Sequence, residues 1–309
     1  MKRISVIVPV YNRASLVGRC LDSVMAQTCP PDELIVVDNG STDGSQTVIL
    51  DWMGENSDKG VDLKFYEEKK KGACHARQKG LENAEGDYVI FFDSDDEMLP
   101  ELVENVVETV KINPDIDVVT WRCQINQLDG TKKIPAFLPQ NPVEGHLIHA
   151  LLMTVNYAAR RELSLNSGGW SKSIKVWDDY ELGLRIILQN PKVSGIPKVL
   201  AQVYSQEESI TGTDFSSKEG EWESTLEEMD LTVDNSNHPQ KRRIKRILNY
   251  RRAILAAHYS REGNSKGAAG LMKKTLSGLP AKERLPLLFS YHFTRFGLRG
   301  VWRIVRYFI

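Results

Sequence analysis

Tyr88-Val89-Ile90-Phe91-Phe92-Asp93-Ser94-Asp95-Asp96 is five apolar residues running straight into an acidic cluster. An unbroken apolar run rich in β-branched and aromatic residues reads as a strand buried on both faces. The carboxylates then stand where the strand leaves the sheet. Open α/β sheets bind ligands in the crevice beyond the carboxyl ends of their strands. Three carboxylates in four residues repel one another unless a cation joins them. A hard divalent ion that also holds phosphates fits that chemistry, and so does a plain solvated acidic turn.

Strand and helix signals alternate on either side of this stretch. Ile4 to Val10 reads as a buried strand that turns at Tyr11-Asn12. Leu16, Val17, Leu21, Val24 and Met25 give a helical stripe over 14–27. Glu33 to Asp38 is a second strand ending in a carboxylate. Asn39 to Ser45 is a polar turn in which Asp43 or Ser45 can cap a helix from Gln46. Asp62 to Tyr66 is a third strand, Gly72 to Asn83 a helix, Glu101 to Ile112 another, and Asp117 to Trp121 a further strand. The alternation predicts a parallel sheet over the first ~120 residues, covered on both faces. No G-x-G-x-x-G follows the first strand. A bound nucleotide would therefore need a metal and side chains at its phosphates.

Further on, Asp129-Gly130 predicts a hairpin turn, Glu144 to Tyr157 a helix, and Asn166 to Trp170 a loop with one large aromatic. Trp177-Asp178-Asp179-Tyr180-Glu181-Leu182 opens a helix buried through Leu182, Leu184, Ile186 and Ile187. Its carboxylate pair is either an ordinary acidic first turn or a general base. Thr211 to Asn237 is polar and acidic and reads as a loop or linker. Arg243 to Tyr259 and Asn264 to Leu276 read as two helices joined at Gly263-Asn264. Phe289 to Ile309 reads as a helix with Arg295, Arg299, Arg303 and Arg306 on one face and aromatics opposite. That pattern fits a helix in a membrane interface or a packing helix with a solvated basic side.

Charge divides the chain. The 309 residues carry 40 basic and 41 acidic side chains. From Gln240 onward there are 17 basic and 2 acidic residues, a net +15, which leaves −16 before it. Such asymmetry suggests a surface-seeking tail. Cys20, Cys29, Cys74 and Cys123 have no zinc spacing and read as thiols of a reducing compartment. Lys2-Arg3 precede an apolar run that Pro9 ends too early for a signal peptide, and no apolar stretch reaches the ~20 residues of a membrane span. The expected location is cytoplasmic, peripheral at the inner membrane face.

Several motifs in order carry a resemblance. They are Ser5-Val6-Ile7-Val8-Pro9-Val10-Tyr11-Asn12; Val36 to Gly44; Gly72 with Ala76-Arg77 and Gly80-Leu81; Gly86-Asp87-Tyr88 leading to Phe92 through Asp96; and Gly168-Gly169-Trp170 followed by Trp177 to Leu182. Over roughly residues 3–212 the chain resembles the family 2 glycosyltransferases, inverting enzymes of the GT-A fold. The resemblance implies an α/β GT-A type, mostly parallel sheet flanked by helices, with a C-terminal α-helical extension. Residues 1–212 would be the transferase domain, 213–239 an acidic linker and 240–309 the basic extension.

The resemblance also implies roles. Pro9, Tyr11 and Asp38 would surround the nucleotide base, Arg77 would lie near the nucleotide or phosphates, and Asp93 would face ribose and metal. Asp95 with Asp93 would hold Mg²⁺ or Mn²⁺, Asp179 would be the catalytic base with Asp178 the second choice, and Trp170 would meet the acceptor. Many relatives carry a Tyr-x-x-His run after the catalytic helix. Here Tyr204-Ser205-Gln206-Glu207 has no histidine, so Glu207 or Gln206 takes the place of a third metal ligand. The implied partners are a nucleotide-sugar donor, a glycan or lipid-linked glycan acceptor and an anionic membrane surface, with no nucleic acid. Two other functions fit a metal on an α/β sheet: a nucleotidyltransferase and a non-catalytic nucleotide-sugar-binding relative. The first wants a glycine-rich basic loop that Tyr11-Asn12-Arg13-Ala14-Ser15 does not supply, and the second wants the Asp93–Asp95 pair or Asp179 lost.

Overall fold

The computed structural model of the chain describes residues 2–206 and 214–309. The acidic strand is flanked by β1 (Ile4–Val10), α1 (Val17–Met25), β2 (Glu33–Asp38), α2 (Ser45–Glu55), β3 (Asp62–Glu67) and α3 (Ala73–Asn83). It is itself β4 (Tyr88–Phe91), and β5 (Glu97–Met98), α4 (Leu102–Ile112), β6 (Val118–Asn126) and β7 (Lys132–Lys133) follow. Then come α5 (Pro142–His149), β8 (Tyr157–Arg160), α6 (Arg161–Asn166), α7 (Asp178–Ile187) and β9 (Val193–Tyr204). Every residue of β1 and β2 is buried, as an apolar strand between two helical layers requires.

The strands form one mixed sheet in the order β3-β2-β1-β4-β8-β6-β9-β5, with β7 paired to β6. The β3-β2-β1-β4 half is parallel, as expected. Beyond β4 the expectation needs correction. β8 lies between β4 and β6 and runs antiparallel to both. Its four residues, Tyr157 to Arg160, are too short and alanine-rich to announce a strand, and they sit at the end of a segment that reads as helix. The helix expected over 144–157 ends at His149, where Ala150 turns left-handed at φ +52°. The 12-residue β9 was not anticipated either, because Pro197 and Lys198 interrupt its apolar pattern. The Asp129-Gly130 turn stands where expected, with Gly130 at φ +79°.

The register places the site. Val10 pairs with Asp38, and Ile7 pairs with Phe91, so the ends of β2 and β4 flank the end of β1. α3 lies close on β1 because Gly80 has no side chain: a Cβ there would stand 2.3 Å from Ile7 Cγ2. One turn earlier, Arg77 reaches the strand ends.

The chain forms two compact units. Met1–Ser173 with Asp178–Glu208 is the sheet unit. Ile174–Trp177 with Ser209–Ile309 is the second. The second unit holds a short 3₁₀ turn at Phe215–Lys218 and helices α8 (Glu221–Asp234), α9 (Lys241–Arg261), α10 (Ser265–Leu276), α11 (Ala281–Arg295) and α12 (Trp302–Val305). A helix thus stands where a linker was expected over 213–239. Trp222, Leu226, Met229 and Val233 are buried at helical spacing beneath a face of Glu and Asp whose charge masks the stripe. Trp177 packs within this unit, its ring 4.8 Å from that of Trp222. The joint between α9 and α10 falls at Gly263-Asn264 as expected, with Asn264 accepting from Gly267 N at 2.9 Å. The single C-terminal helix expected over 289–309 is broken. Gly297 and Gly300, at φ +80° and +84°, end α11 and start α12. Left-handed backbone there cannot continue a helix.

Candidate active site

Asp38 ends β2 and is 3% exposed. Its Oδ2 accepts from Gly40 N at 3.1 Å and Ser41 N at 3.2 Å, which closes the turn. Its Oδ1 is buried without a hydrogen-bond partner among the described residues. A buried acceptor left open costs stability unless a ligand donor meets it. Asn39 ties the loops beside it, donating to the carbonyls of Glu68 (2.9 Å) and Lys70 (2.7 Å) and accepting from Gly72 N (2.7 Å). Pro9 is buried in β1, whereas Tyr11 is 47% exposed in the loop after it. Asn12, at φ +51°, holds that loop to the next one by accepting from Thr42 N at 2.8 Å. Asp43 does not cap the next helix by the usual bond; it accepts from Ser45 N and from Ala14 N.

The acidic cluster lies beyond β4. Arg77, 8% exposed, donates through Nη2 to Asp93 Oδ1 and through Nη1 to Asp178 Oδ2, each at 2.7 Å. One guanidinium thereby joins the Asp93–Asp95 stretch to the start of α7. Asp95 meets Arg13 Nε at 3.4 Å. Burial, then the Asp93 charge, raise the Asp95 pKa against the pull of Arg13. Asp96 is buried and accepts from Tyr204 N at 2.9 Å. Burial above all, with Asp93 second, raises its pKa well above the usual carboxylate range. Asp93 and Asp95 suit a hard divalent cation. Both offer oxygen donors with side chains 31% and 19% exposed, and their crowding is what a cation relieves.

Asp178 and Asp179 form the first turn of α7. Trp177 before them sits at φ +56°, a strained conformation for a large side chain. Asp178 Oδ1 accepts from Asp179 N at 3.1 Å, and its Oδ2 also accepts from Cys74 Sγ at 3.2 Å. Burial raises the Asp179 pKa to about 7, with the Asp178 charge next and Arg77 opposing. A carboxyl near neutrality with a paired neighbour suits proton transfer. Glu181, buried one turn on, is held by Arg185 Nε at 2.6 Å.

Sequence reasoning expected Trp170 to face an acceptor. The structure leaves no open ring for that. Trp170 is 2% exposed, with Phe91 packed edge-on at 5.0 Å and the Arg77 guanidinium over its ring at 4.6 Å. It is the platform on which Arg77 lies. Glu207 falls outside the described residues. Reasoning from sequence gave no role to Arg13, Asn39, Cys74 or Arg19, whose guanidinium stacks on Tyr204 at 4.2 Å. The basic Arg13 just after the first strand was the one available signal. Glu33, Asp62 and Glu85 also bring carboxylates within 4.8 Å of one another. They lie at the opposite strand ends, and Lys64 Nζ already sits among them at 2.6, 3.4 and 2.8 Å.

Residues 5–164 match the family model described as Glycosyl transferase family 2, more than half the chain. The chain belongs to that family. An uncharacterized glycosyltransferase of Haemophilus influenzae is 29% identical over 192 residues, 61% of this chain and 63% of that protein. The matches span 15% to 63% of the length of the first four curated relatives. Residues 1–349 of S. aureus TarS, solved with UDP-GlcNAc, superpose with TM-score 0.68 at 18% identity, covering 99% of this chain and 92% of that one. The mannosyltransferase PcManGT of Pyrobaculum calidifontis, solved with GDP-Man and Mn²⁺, gives TM-score 0.59 at 21% identity, covering 99% and 84%. At these identities the likeness shows the fold, which is that of the GT-A glycosyltransferases. No described helix of this glycosyltransferase is long and apolar enough to cross a membrane.

Proposed function

We propose that this glycosyltransferase moves a sugar from a UDP-sugar to a hydroxyl of a glycan or lipid-linked glycan, with inversion. The carrying observation is the Arg77 bridge, which puts Asp93 after β4 and Asp178, the neighbour of Asp179 in α7, on one guanidinium. Asp38 Oδ1, buried and open, accepts the N–H of a uracil ring, with Pro9 and Tyr11 beside it. Asp93 faces the ribose, and Arg77 lies toward the phosphates. Asp95 with Asp93 would hold Mg²⁺ or Mn²⁺, which would supply positive charge to offset that of the leaving diphosphate. Asp179 takes the proton of the acceptor hydroxyl while that oxygen forms its bond to the anomeric carbon. The bond from that carbon to the diphosphate breaks, and its electron pair leaves with the diphosphate. A single displacement inverts the centre and needs only one base. In this reading residues 1–212 carry the transfer, residues 240–309 are a basic extension, and the enzyme works in polysaccharide assembly at the cytoplasmic face of a membrane.

The test is calorimetric titration with UDP, GDP and CMP, each with and without Mn²⁺. Metal-dependent binding of UDP above the others supports the reading. Preference for GDP keeps the reaction and moves the donor to a GDP-sugar. Binding of none overturns it.

A further inference from the structure

The break that ends α11 displays apolar and cationic side chains together. Residues 295–300 are exposed throughout, with Phe296 at 77% and Leu298 at 53%. Past α12, Tyr307 and Phe308 are also largely exposed, as is Leu285 on α11. Arg295, Arg299, Arg303 and Arg306 are interleaved with them, and no acidic residue follows Glu283. This is not a frayed end. Val301, Trp302 and Val305 are buried, and the Trp302 ring lies 4.9 Å from that of Tyr250 on α9. Trp302 thus pins the segment to α9, while Phe296, Leu298 and Tyr307 stay exposed to water, as does Phe308 beside Arg246 and Leu287.

We propose that this surface docks on an anionic lipid bilayer, with Phe296, Leu298, Tyr307 and Phe308 entering the headgroup layer and the arginines meeting lipid phosphates. Charge complementarity chooses the occupant. A second copy of this chain would bring two arginine clusters together, which repels. A nucleic acid would satisfy the arginines and some rings but offers nothing to the aliphatic Leu285 and Leu298. An anionic membrane satisfies both kinds of side chain. The proposal deepens the reading of a membrane-sited acceptor, but its test uses no transfer activity. Vesicle binding and UDP binding can therefore fail separately.

The experiment is co-sedimentation of the full chain with phosphatidylcholine vesicles, with and without about a third of phosphatidylglycerol. Anionic vesicles are expected to bind strongly and neutral ones weakly. Arg295→Gln, Arg299→Gln and Arg303→Gln should each lower the partition constant about fivefold. Phe296→Ser with Leu298→Ser should lower it roughly tenfold or more. All five substitutions are at exposed positions, so the melting temperature should hold, and a UDP titration reads the sheet unit independently. Vesicle binding indifferent to all five substitutions would overturn the proposal. So would preference for duplex DNA or RNA over vesicles, or a dimer that the Phe296→Ser and Leu298→Ser changes dissolve without any vesicle binding.

Discussion

Arg77 holds Asp178 at 2.7 Å, one residue before the carboxyl whose pKa stands near 7. The same guanidinium grips Asp93 and rests on Trp170. Lysine keeps the charge but cannot fork to two carboxylates or lie flat on an indole. Arg77→Lys is therefore expected to lower kcat roughly 10- to 100-fold. Arg77→Ala should also destabilise the fold, by about 1–3 kcal/mol after allowing for the partial exposure of both carboxylates. Steady-state kinetics and urea denaturation check both. Wild-type kcat in Arg77→Ala would remove the residue from the site.

Asp179→Asn keeps the shape of the side chain and removes the proposed base. Transfer should fall by a factor of about 10³ or more while UDP affinity stays within roughly threefold. The substitution should also stabilise the protein at alkaline pH. The folded pKa of about 7 lies above the unfolded value of about 3.9. Between those values the folded protein holds a proton that the unfolded chain has lost, so stability falls as pH rises through that window. Above it the cost is complete, and below it there is none. Melting curves at pH 4 and pH 8 should show Asp179→Asn ahead of wild type only at the higher pH.

As the proposed base, the same group should set a limb of the activity profile. A base works only when deprotonated, so kcat/KM at saturating metal should fall about tenfold per pH unit below the Asp179 pKa and level off above it. Because Arg77 holds that pKa down, the limb should move to higher pH in whatever activity Arg77→Ala retains. A flat profile through the neutral range in the wild type would exclude Asp179 as the base.

Metal dependence should reside in Asp95. Asp95→Ala removes a partly buried carboxylate whose neutral form is favoured by burial and by Asp93. Loss of Mn²⁺-stimulated UDP binding by at least tenfold, with metal-free binding unchanged, is the expected calorimetric result. Chelation with EDTA should bring the wild type to the level of the variant.

The parallel half of the sheet was legible in the sequence because β1, β2 and β4 are largely apolar runs with polar turns behind them, while β3 alternates through Leu63 and Phe65. Asp38, Asp93 and Asp179 were singled out in the sequence by the order of the motifs that carry them, since a lone carboxylate at a strand end or a helix start is more often a cap or a turn residue. β8 was not, since Tyr157-Ala158-Ala159-Arg160 gains its strand character only from β4 and β6 on either side. α8 was hidden by charge, although Trp222, Leu226, Met229 and Val233 keep helical spacing. The role of Trp170 depends on Arg77 lying across it, a pairing 93 residues apart that no local pattern records. The bend at Gly297 and Gly300 was concealed by arginines that recur every three or four residues on both sides of it.

Asp38 offers the sharpest test of the donor. One of its oxygens is committed to the turn through Gly40 and Ser41, and the other is buried and open. Asparagine can keep the turn with its carbonyl oxygen, but it then presents an NH₂ where an acceptor stood. Facing the N–H of a uracil ring, donor would meet donor. Asp38→Asn should therefore weaken UDP binding about 10- to 100-fold, the cost of a lost buried hydrogen bond to a charged acceptor. The melting temperature should change little, because the turn bonds remain. CMP, whose base presents an unprotonated ring nitrogen at the same edge, should lose nothing and gain relative to UDP. Equal UDP affinity in Asp38→Asn and wild type would move the base away from Asp38.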